Sequence, residues 1–568
     1  MGDVIPFGEY RPDVADFNTT YTGSINNVIP RADGYGPFPS FQALTSTLPA
    51  PCCGGFYGRR TDGSVAIFAA TATDLYLLNN TTLAWANVSK GGVSYTSLPA
   101  SALWQFEQFN NFVLAVQANA NPQYYDLTSS TKFADLAGSP PAASYIAIVN
   151  RFVLLSGLVS LPYRIVWSGL NDPTNWTAGV NSSDFQDFPD GGPVRPCVGG
   201  ELGYVFQDQC IRRMVFAPGS DVIFSIDRVA KDVGLLAPYG VVSAGEDIYF
   251  LSTKGFQRLS AGQIIPIGRE KVDRSFAANW DSSSPQFMIG AHAPESGLVI
   301  WVYRSATGSA ANWDSGLLYD PVLDRWAPFS LSGQFIVSMA RPGLTLEGLD
   351  AIAPGVQTIT GAVGASGLIR LTVGSTASYT TNQIVAVSGV GGTTEANGNW
   401  PITVIDGTHV DLQGSAFVHA YTSGGIIGGS LDLLPFSLDN VAGAQSPKIS
   451  IFDTTATLGF LTGPNLEAIL ETAEQSQISQ RMFIQGFFPL TDAGGMVGNS
   501  PAIVGNVSKR ENLVDDPGLT LEQPMNARGF IPARADTRHA RARVRVLANA
   551  NWTYLTGISP LVKMRGKR

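Results

Sequence analysis

Short apolar runs recur along the first 350 residues, and this repeat limits most strongly how the chain can fold. Each run is rich in β-branched and aromatic residues. Successive runs lie 40 to 52 residues apart and are centred on Ile67, Val113, Val153, Val205, Tyr249 and Ile300. A propeller blade of four short antiparallel strands uses about 40 to 50 residues. The repeat therefore predicts a β-propeller-like body over residues 61–350. The alternative is a pair of β-sandwiches whose apolar runs recur at this interval by chance.

The composition agrees with an all-β fold that has a substantial core. Hydrophobic residues make up 44% of the 568 residues and charged residues only 14%, so the chain can bury enough apolar surface to fold. The four cysteines lack the paired spacing of a zinc site and are expected to be free thiols. The sequence shows no secretory signal and no apolar stretch long enough for a membrane helix, which predicts a protein made in the cytoplasm.

Four units are expected along the chain. Residues 1–60 form an N-terminal segment that packs on a C-terminal platform, and residues 61–350 form the propeller-like body. Residues 355–429 are nearly free of Lys, Arg and Glu, which indicates an inserted small β domain, and Asp406-Gly407 predicts a hairpin turn within it. Residues 430–568 close the propeller, through a strand near 448–452, and build a β-rich platform that ends in a basic tail.

The platform is predicted to contain one helix, which begins at Gly463-Pro464. Apolar and acidic residues alternate there at helical spacing. The buried face would carry Leu466, Ile469 and Leu470, and the polar face Glu467, Glu471 and Glu474.

Few residues are arranged for catalysis. The four histidines lie outside any HExxH motif, and neither a nucleophile elbow nor a phosphate-binding glycine loop is present. We therefore predict a protein that is not an enzyme and that holds no cofactor and no metal. A polysaccharide hydrolase stays open as an alternative, because a sequence does not reveal whether two carboxylates converge at a propeller axis.

Positive charge is concentrated at the C-terminal end. Residues 520–568 carry a net charge of plus 8, and the remaining 519 residues carry minus 17. Arg541, Arg543 and Arg545 alternate with small or apolar residues, so on a strand they share one face. That row could neutralise phosphates or pair with an acidic neighbouring subunit, and the acidic chain favours the protein contact. The candidate subunit or adaptor contacts are Arg528, Arg534, Arg538, Arg541, Arg543 and Arg545.

Several motifs, in their order along the chain, resemble the tail nozzle proteins of short-tailed bacteriophages, also described as the tail tubular or packaged-DNA stabilisation type. They are FGEYRPD at 7–13, NVIPR at 27–31, NDPTNW at 171–176, GFLTGPNLEAILET at 459–472, QRMFIQGFFPLTD at 480–492, GFIPAR at 529–534, RHAR at 538–541 and ANWT at 550–553 near Gly557.

The inserted domain resembles a second known module. VSGVGG at 387–392, NGNW at 397–400, VID at 404–406 and YTSGG at 421–425 are similar to a small β domain of phage virion proteins that is likened to the FCCH domain of ubiquitin-activating enzymes. This segment contains no cysteine, so the resemblance implies no ubiquitin chemistry.

The nozzle resemblance implies a structural virion protein of the phage tail. Such a protein is expected to form a homo-hexameric ring below the portal and adaptor proteins, to retain packaged DNA and to conduct it during ejection without sequence-specific binding. An acidic body would repel phosphates and let the DNA slide. The inserted domain is expected to project outward toward tail fibres or spikes. A receptor-binding or glycan-binding propeller of a phage tail is the main alternative.

Overall fold

The computed structural model describes most of the chain. The described residues are 4–80, 82–220, 222–308, 311–340, 356–377, 379, 381, 384–429, 446–477, 480–498 and 500–565. About 53% of the chain is strand and 4% is helix. The predicted all-β class, with a propeller-like body and a small inserted β domain, is confirmed.

In the described part of the chain, seven four-stranded antiparallel sheets are the blades of a propeller. Blade 1 is Gly54–Arg59, Val65–Ala70, Leu75–Leu78 and Trp85–Asn87; blade 2 is Gln105–Phe109, Phe112–Gln117, Ala120–Asp126 and Ala134–Asp135; blade 3 is Ala143–Val149, Phe152–Leu158, Arg164–Trp167 and Asp184–Asp187; blade 4 is Val194–Val198, Leu202–Gln207, Cys210–Phe216 and Phe224–Lys231; blade 5 is Val242–Ala244, Asp247–Ser252, Gly255–Ser260 and Gln263–Pro266; blade 6 is Ile289–Ala293, Leu298–Tyr303, Ser315–Asp320 and Arg325–Phe329; and blade 7 is Phe335–Met339, Lys448–Phe452, Thr457–Asn465 and Pro39–Thr47.

The first strands of the blades form a closed ring. Those of blades 1 to 4 contact one another in order, and those of blades 5, 6, 7 and 1 do the same. A 3₁₀ turn, Pro238–Gly240, lies between blades 4 and 5 along the chain and contacts the first strands of blades 4 and 6. Further 3₁₀ turns are Lys90–Gly92, Pro285–Phe287 and Thr394–Ala396.

The sequence repeat corresponds to the second strand of each of the first six blades. All six residues on which the repeat was centred lie on these strands and are at most 3% exposed. These strands are apolar on both faces because each blade is covered by a neighbour on either side. Aromatic rings pack between blades: the centroids of Phe206 in blade 4 and Phe250 in blade 5 lie 5.1 Å apart.

Blade 7 is assembled from distant parts of the chain. The predicted closing strand, Lys448–Phe452, lies in this blade, and Pro39–Thr47 pairs with Thr457–Asn465 as its outermost strand. Residues 39–59, expected in the N-terminal segment, therefore belong to blades 7 and 1. A strand from the other end of the chain can close the ring because it removes an unpaired sheet edge.

The inserted domain is a closed six-stranded barrel. Along the chain it lies between the first and second strands of blade 7. Its strands are Gln357–Ala365, Leu368–Val373, Ile384–Ser388, Gly398–Val404, His409–Leu412 and Ile426–Gly429. Asp406-Gly407 lies in the turn between the fourth and fifth of them, as predicted. The predicted domain boundaries at 350–355 and at 430 lie outside the described residues.

The platform is a sandwich of two sheets that combines both ends of the chain. One sheet has six strands: Ile5–Pro6, Val28–Arg31, Gly34–Pro37, Arg481–Thr491, Ile531–Thr537 and Leu555–Arg565. The other has seven: Ile25–Asn26, Ala468–Glu471, Gln475–Ser476, Ile503–Arg510, Gly518–Leu519, Gln523–Pro524 and His539–Val546. A small hairpin, Met496–Val497 with Ser500–Pro501, lies beside them. Phe7, Tyr35, Phe487, Val544 and Trp552 are buried in the shared core.

The helix predicted from Gly463-Pro464 is wrong. Thr457–Asn465 and Ala468–Glu471 are strands, and Leu470 is fully buried opposite Val544 of the neighbouring strand. The spacing of apolar residues in this segment is compatible with a helix or with a strand. The segment forms strands because it pairs with blade 7 and with the seven-stranded sheet of the platform. Among the described residues the single α-helix is Asp273–Asn279, which lies between blades 5 and 6.

The N-terminal segment attaches the platform to the propeller through Asp13. The carboxylate of Asp13 accepts hydrogen bonds from the backbone N–H groups of Arg274 (2.7 Å) and Ser275 (2.8 Å) and from the Ser275 hydroxyl (2.6 Å). It therefore caps the helix Asp273–Asn279. Nearby, the Lys271 ammonium lies 3.0 Å from Glu9 and 2.8 Å from Asp324.

We expect Asp13→Ala to lower the free energy of unfolding by about 1 to 2 kcal/mol, because two N–H groups of the helix lose their acceptor. Chemical denaturation of the purified chain measures this change. Asp33→Ala, at an exposed turn position, is the matched control and should change stability by less than about 0.5 kcal/mol. Equal effects of the two substitutions would contradict the capping role.

Candidate functional site

Arg541, Arg543 and Arg545 form a row on the seven-stranded sheet of the platform. From Ala540 to Val546 their strand alternates, so that Ala542 and Val544 face the sandwich core while the three arginines lie partly buried on the opposite face. The alternation seen in the sequence thus produces one cationic face. We call these three residues the arginine row.

Each member of the arginine row faces carboxylates of its own chain. The contacts are Arg541 to Asp16 at 2.8 Å and to Glu474 at 3.3 Å, Arg543 to Glu471 at 3.7 Å, and Arg545 to Glu467 at 2.8 Å and to Glu522. Sequence reasoning missed these partners because three of the acids were assigned to the polar face of a helix. On a strand, positions 467 and 471 share a face, as do the three arginines, and this even spacing was the available signal.

Glu474 is the most buried acid of this network. Its side chain is 5% exposed, and its two oxygens accept hydrogen bonds from Arg510 at 2.7 and 2.6 Å. Burial acts to raise the pKa of Glu474, but the hydrogen bonds and charges of Arg510 and Arg541 outweigh burial and hold that pKa below its usual range. The network therefore depends on an ionised Glu474.

The other predicted contact residues lie in different surroundings. Arg528 and Arg534 are exposed and Arg538 is partly buried. Lys567 and Arg568, counted in the basic tail, lie outside the described residues. The role of the six arginines in subunit or adaptor contacts stays a prediction, and Arg528 and Arg534 are the two whose side chains are most accessible for it.

A cavity of about 530 Å³ lies on the propeller axis. The first strands of all seven blades contribute to its lining. We call it the axial cavity. Among its described lining residues, Glu107 of blade 2 is the one carboxylate, whereas the hydrolase alternative requires a convergent pair. Burial raises the pKa of Glu107 to about 7, and the backbone N–H of Gln108 offsets part of this shift.

The axial cavity is not a passage for a nucleic-acid duplex. Tyr239, from the turn between blades 4 and 5, accepts a hydrogen bond through its hydroxyl from the N–H of Leu103 (3.1 Å), which precedes blade 2. Its side chain therefore reaches from one side of the ring to another.

Further features bear on function. Within the described residues, no group of three or more His, Cys, Asp or Glu side chains could hold a metal ion. In the same part of the chain, no helix has the length and apolar character needed to cross a membrane. All four cysteines are free.

Comparison with known proteins gives no family. No family model and no curated protein matches this chain. Among solved structures it is similar to the extracellular domain of a hybrid two-component system protein from B. thetaiotaomicron, with a TM-score of 0.34, 8% identity, and coverage of 61% of this chain and 45% of that one. It is also similar to the dihydro-heme d1 dehydrogenase NirN in complex with DHE, with a TM-score of 0.29, 13% identity, and coverage of 68% and 78%.

We expect Glu474→Gln to lower the free energy of unfolding by about 2 to 4 kcal/mol at neutral pH, because two arginines lose a buried counter-charge. The matched control is Glu522→Gln, since Arg545 keeps Glu467 as a partner and the site is partly exposed. That control should cost less than about 1 kcal/mol. Chemical denaturation of both variants tests the difference, and similar losses would contradict a central role for Glu474.

Glu107 is expected to make stability fall as the pH rises. The folded chain keeps this proton up to about pH 7, whereas the unfolded chain releases it near pH 4.3, so stability is lost between these values. Glu107→Gln removes this pH dependence. Between pH 4.5 and pH 8, the free energy of unfolding of the variant should therefore rise by about 2 to 3 kcal/mol relative to that of the wild type.

Denaturation curves of the wild type and the Gln variant at several pH values measure this gain. Glu270→Gln, at a surface position where the side chain is 66% exposed, is the matched control for loss of a carboxylate. A constant stability difference between wild type and Glu107→Gln at all pH values would show that Glu107 is not desolvated in the folded chain.

Proposed function

We propose that this chain is a structural protein of a phage tail nozzle. In this proposal six copies form a ring below the portal and adaptor proteins, retain the packaged DNA and conduct it during ejection. The observation that carries the proposal is the location of the segments that resemble nozzle proteins. Most of them, although they come from both ends of the chain, lie in the platform.

The nozzle-like segments contribute directly to the platform core. Phe7 of the first segment and Trp552 of the last are 1% and 2% exposed in the same apolar cluster. The segment at 480–492 contains the long strand Arg481–Thr491, which pairs with both Ile531–Thr537 and Leu555–Arg565. Short motifs scattered over more than 500 residues thus build one unit, which supports a shared architecture more strongly than any one motif does.

A conduit in this proposal lies between subunits. Tyr239 reaches across the propeller axis to Leu103, so in this proposal the DNA path would run along the outer surface of each subunit, at the centre of the hexameric ring. The chain's net charge of minus 9 favours such a wall, because repulsion of phosphates prevents the many attractive contacts that would hold DNA in place. A closed ring requires heterologous contacts, in which two different faces of the subunit meet.

The exposed arginines are proposed as part of those contacts. The arginine row is neutralised within the subunit, whereas Arg528 and Arg534 are exposed on the platform. Their charges could pair with acidic groups of a neighbouring subunit or of the adaptor. The inserted barrel is proposed to meet tail fibres or spikes.

The test is assembly of the purified chain with the portal and adaptor proteins from the same genome, followed by light scattering and negative-stain microscopy. We expect sixfold rings with six times the chain mass of 60.3 kDa, alone or on the adaptor. The double substitution Arg528→Glu with Arg534→Glu should weaken assembly at least tenfold without unfolding the chain.

The matched control is Lys254→Glu, which reverses an exposed charge on a turn of blade 5 and should leave assembly unchanged. A monodisperse monomer that ignores both partner proteins would refute the nozzle proposal and direct attention to glycan binding.

A further inference from the structure

We propose that the axial cavity binds a small organic ammonium cation, a primary aliphatic amine, with Glu107 as its counter-ion. This inference is independent of the nozzle proposal, since it concerns the centre of one propeller and not the contacts between subunits.

The first argument is an uncompensated carboxylate. Glu107 lies on the first strand of blade 2, and the described lining of the cavity contains no Lys, Arg or His. Glu107 is partly exposed, and desolvation by the surrounding protein, without a cation to offset it, raises its pKa to about 7. A bound cation would restore the favourable pairing that the chain itself does not supply.

The second argument is the aromatic wall. Phe56 and Phe106, from the first strands of blades 1 and 2, stack with their centroids 6.0 Å apart and an interplanar angle of 11°. Tyr145 and Tyr239 also line the cavity, with centroids 5.9 Å apart. Ring faces attract cations, and the attraction is largest where water is excluded. The same walls, with Ile146 and other aliphatic residues, suit an alkyl chain.

The third argument is the supply of hydrogen-bond acceptors. Within each blade's sheet the first strand pairs with the second strand on one edge only, so its other edge presents backbone groups toward the axis. One carbonyl on these edges, that of Ile148, accepts a hydrogen bond from the Gly200 N–H (2.9 Å). The hydroxyl oxygen of Ser338, which also lines the cavity, is buried and has no hydrogen-bond partner. A primary ammonium group has three N–H donors, which one carboxylate, a carbonyl and a hydroxyl can accept.

Other ligand classes fit less well. A divalent metal ion needs several oxygen or nitrogen ligands, and the described lining offers one carboxylate. An anion would meet the negative charge of Glu107 without any cation to offset it. The volume of about 530 Å³ corresponds to roughly 18 water molecules at about 30 Å³ each, so a small amine fits with space to spare.

Isothermal titration calorimetry of the full chain at pH 8 tests the proposal with n-butylammonium chloride, and with n-butanol as the uncharged analogue of the same length. We expect n-butylammonium to bind the wild type with a millimolar dissociation constant and n-butanol to bind at least tenfold more weakly. Glu107→Gln should weaken n-butylammonium binding at least tenfold and leave n-butanol unchanged.

Glu270→Gln is the matched control and should bind n-butylammonium as the wild type does. Loss of binding by misfolding is excluded as an explanation if Glu107→Gln retains the wild-type unfolding transition. Equal binding of the amine and the alcohol, unchanged binding by Glu107→Gln, or no heat of binding up to 50 mM amine would each overturn the proposal.

Discussion

Closure of the propeller ring is the constraint on which the rest of the structure depends. Six blades are built from consecutive stretches of chain, but the seventh is completed only when Pro39–Thr47 pairs with Thr457–Asn465. This pairing brings together residues more than 400 positions apart, so its entropic cost must be offset by many other contacts. It also leaves the flanking segments, 4–37 and 466–565, side by side, where they form the platform.

The arginine row and Glu107 are two different arrangements of charged groups inside the protein. In the platform, every member of the arginine row has a carboxylate partner from the same sheet or from the N-terminal segment, which ties together strands distant in sequence. In the propeller, Glu107 stands alone at the axis. The first arrangement is that of a structural network, whereas the second is typical of a site that awaits a partner.

The propeller could be predicted from the sequence because its blades are local. Each second strand is buried on both faces, so its apolar run is visible without knowledge of any partner, as at Val65–Ala70. The helix at 463–474 was misassigned because residues such as Leu470 satisfy either periodicity, and only their register against His539–Val546 decides between them. The alternation of the three arginines was evident, but their acid partners come from separate strands that a single sequence does not align. Glu107 gave no signal in the sequence, since a carboxylate in the strand Gln105–Phe109, which also carries two glutamines, looks like any surface position until the ring is closed.

The position of the barrel has a further consequence for how such a chain can change. Its first and last strands pair with each other, Gln357 opposite Ile427, so the barrel's entry and exit lie next to one another. The two strands of blade 7 that it separates, Phe335–Met339 and Lys448–Phe452, are likewise hydrogen-bonded neighbours. The barrel therefore occupies what would otherwise be a hairpin turn. A domain whose own ends are adjacent could replace the barrel by recombination without altering the strand register of blade 7. The inserted domain could therefore change while the propeller stays the same.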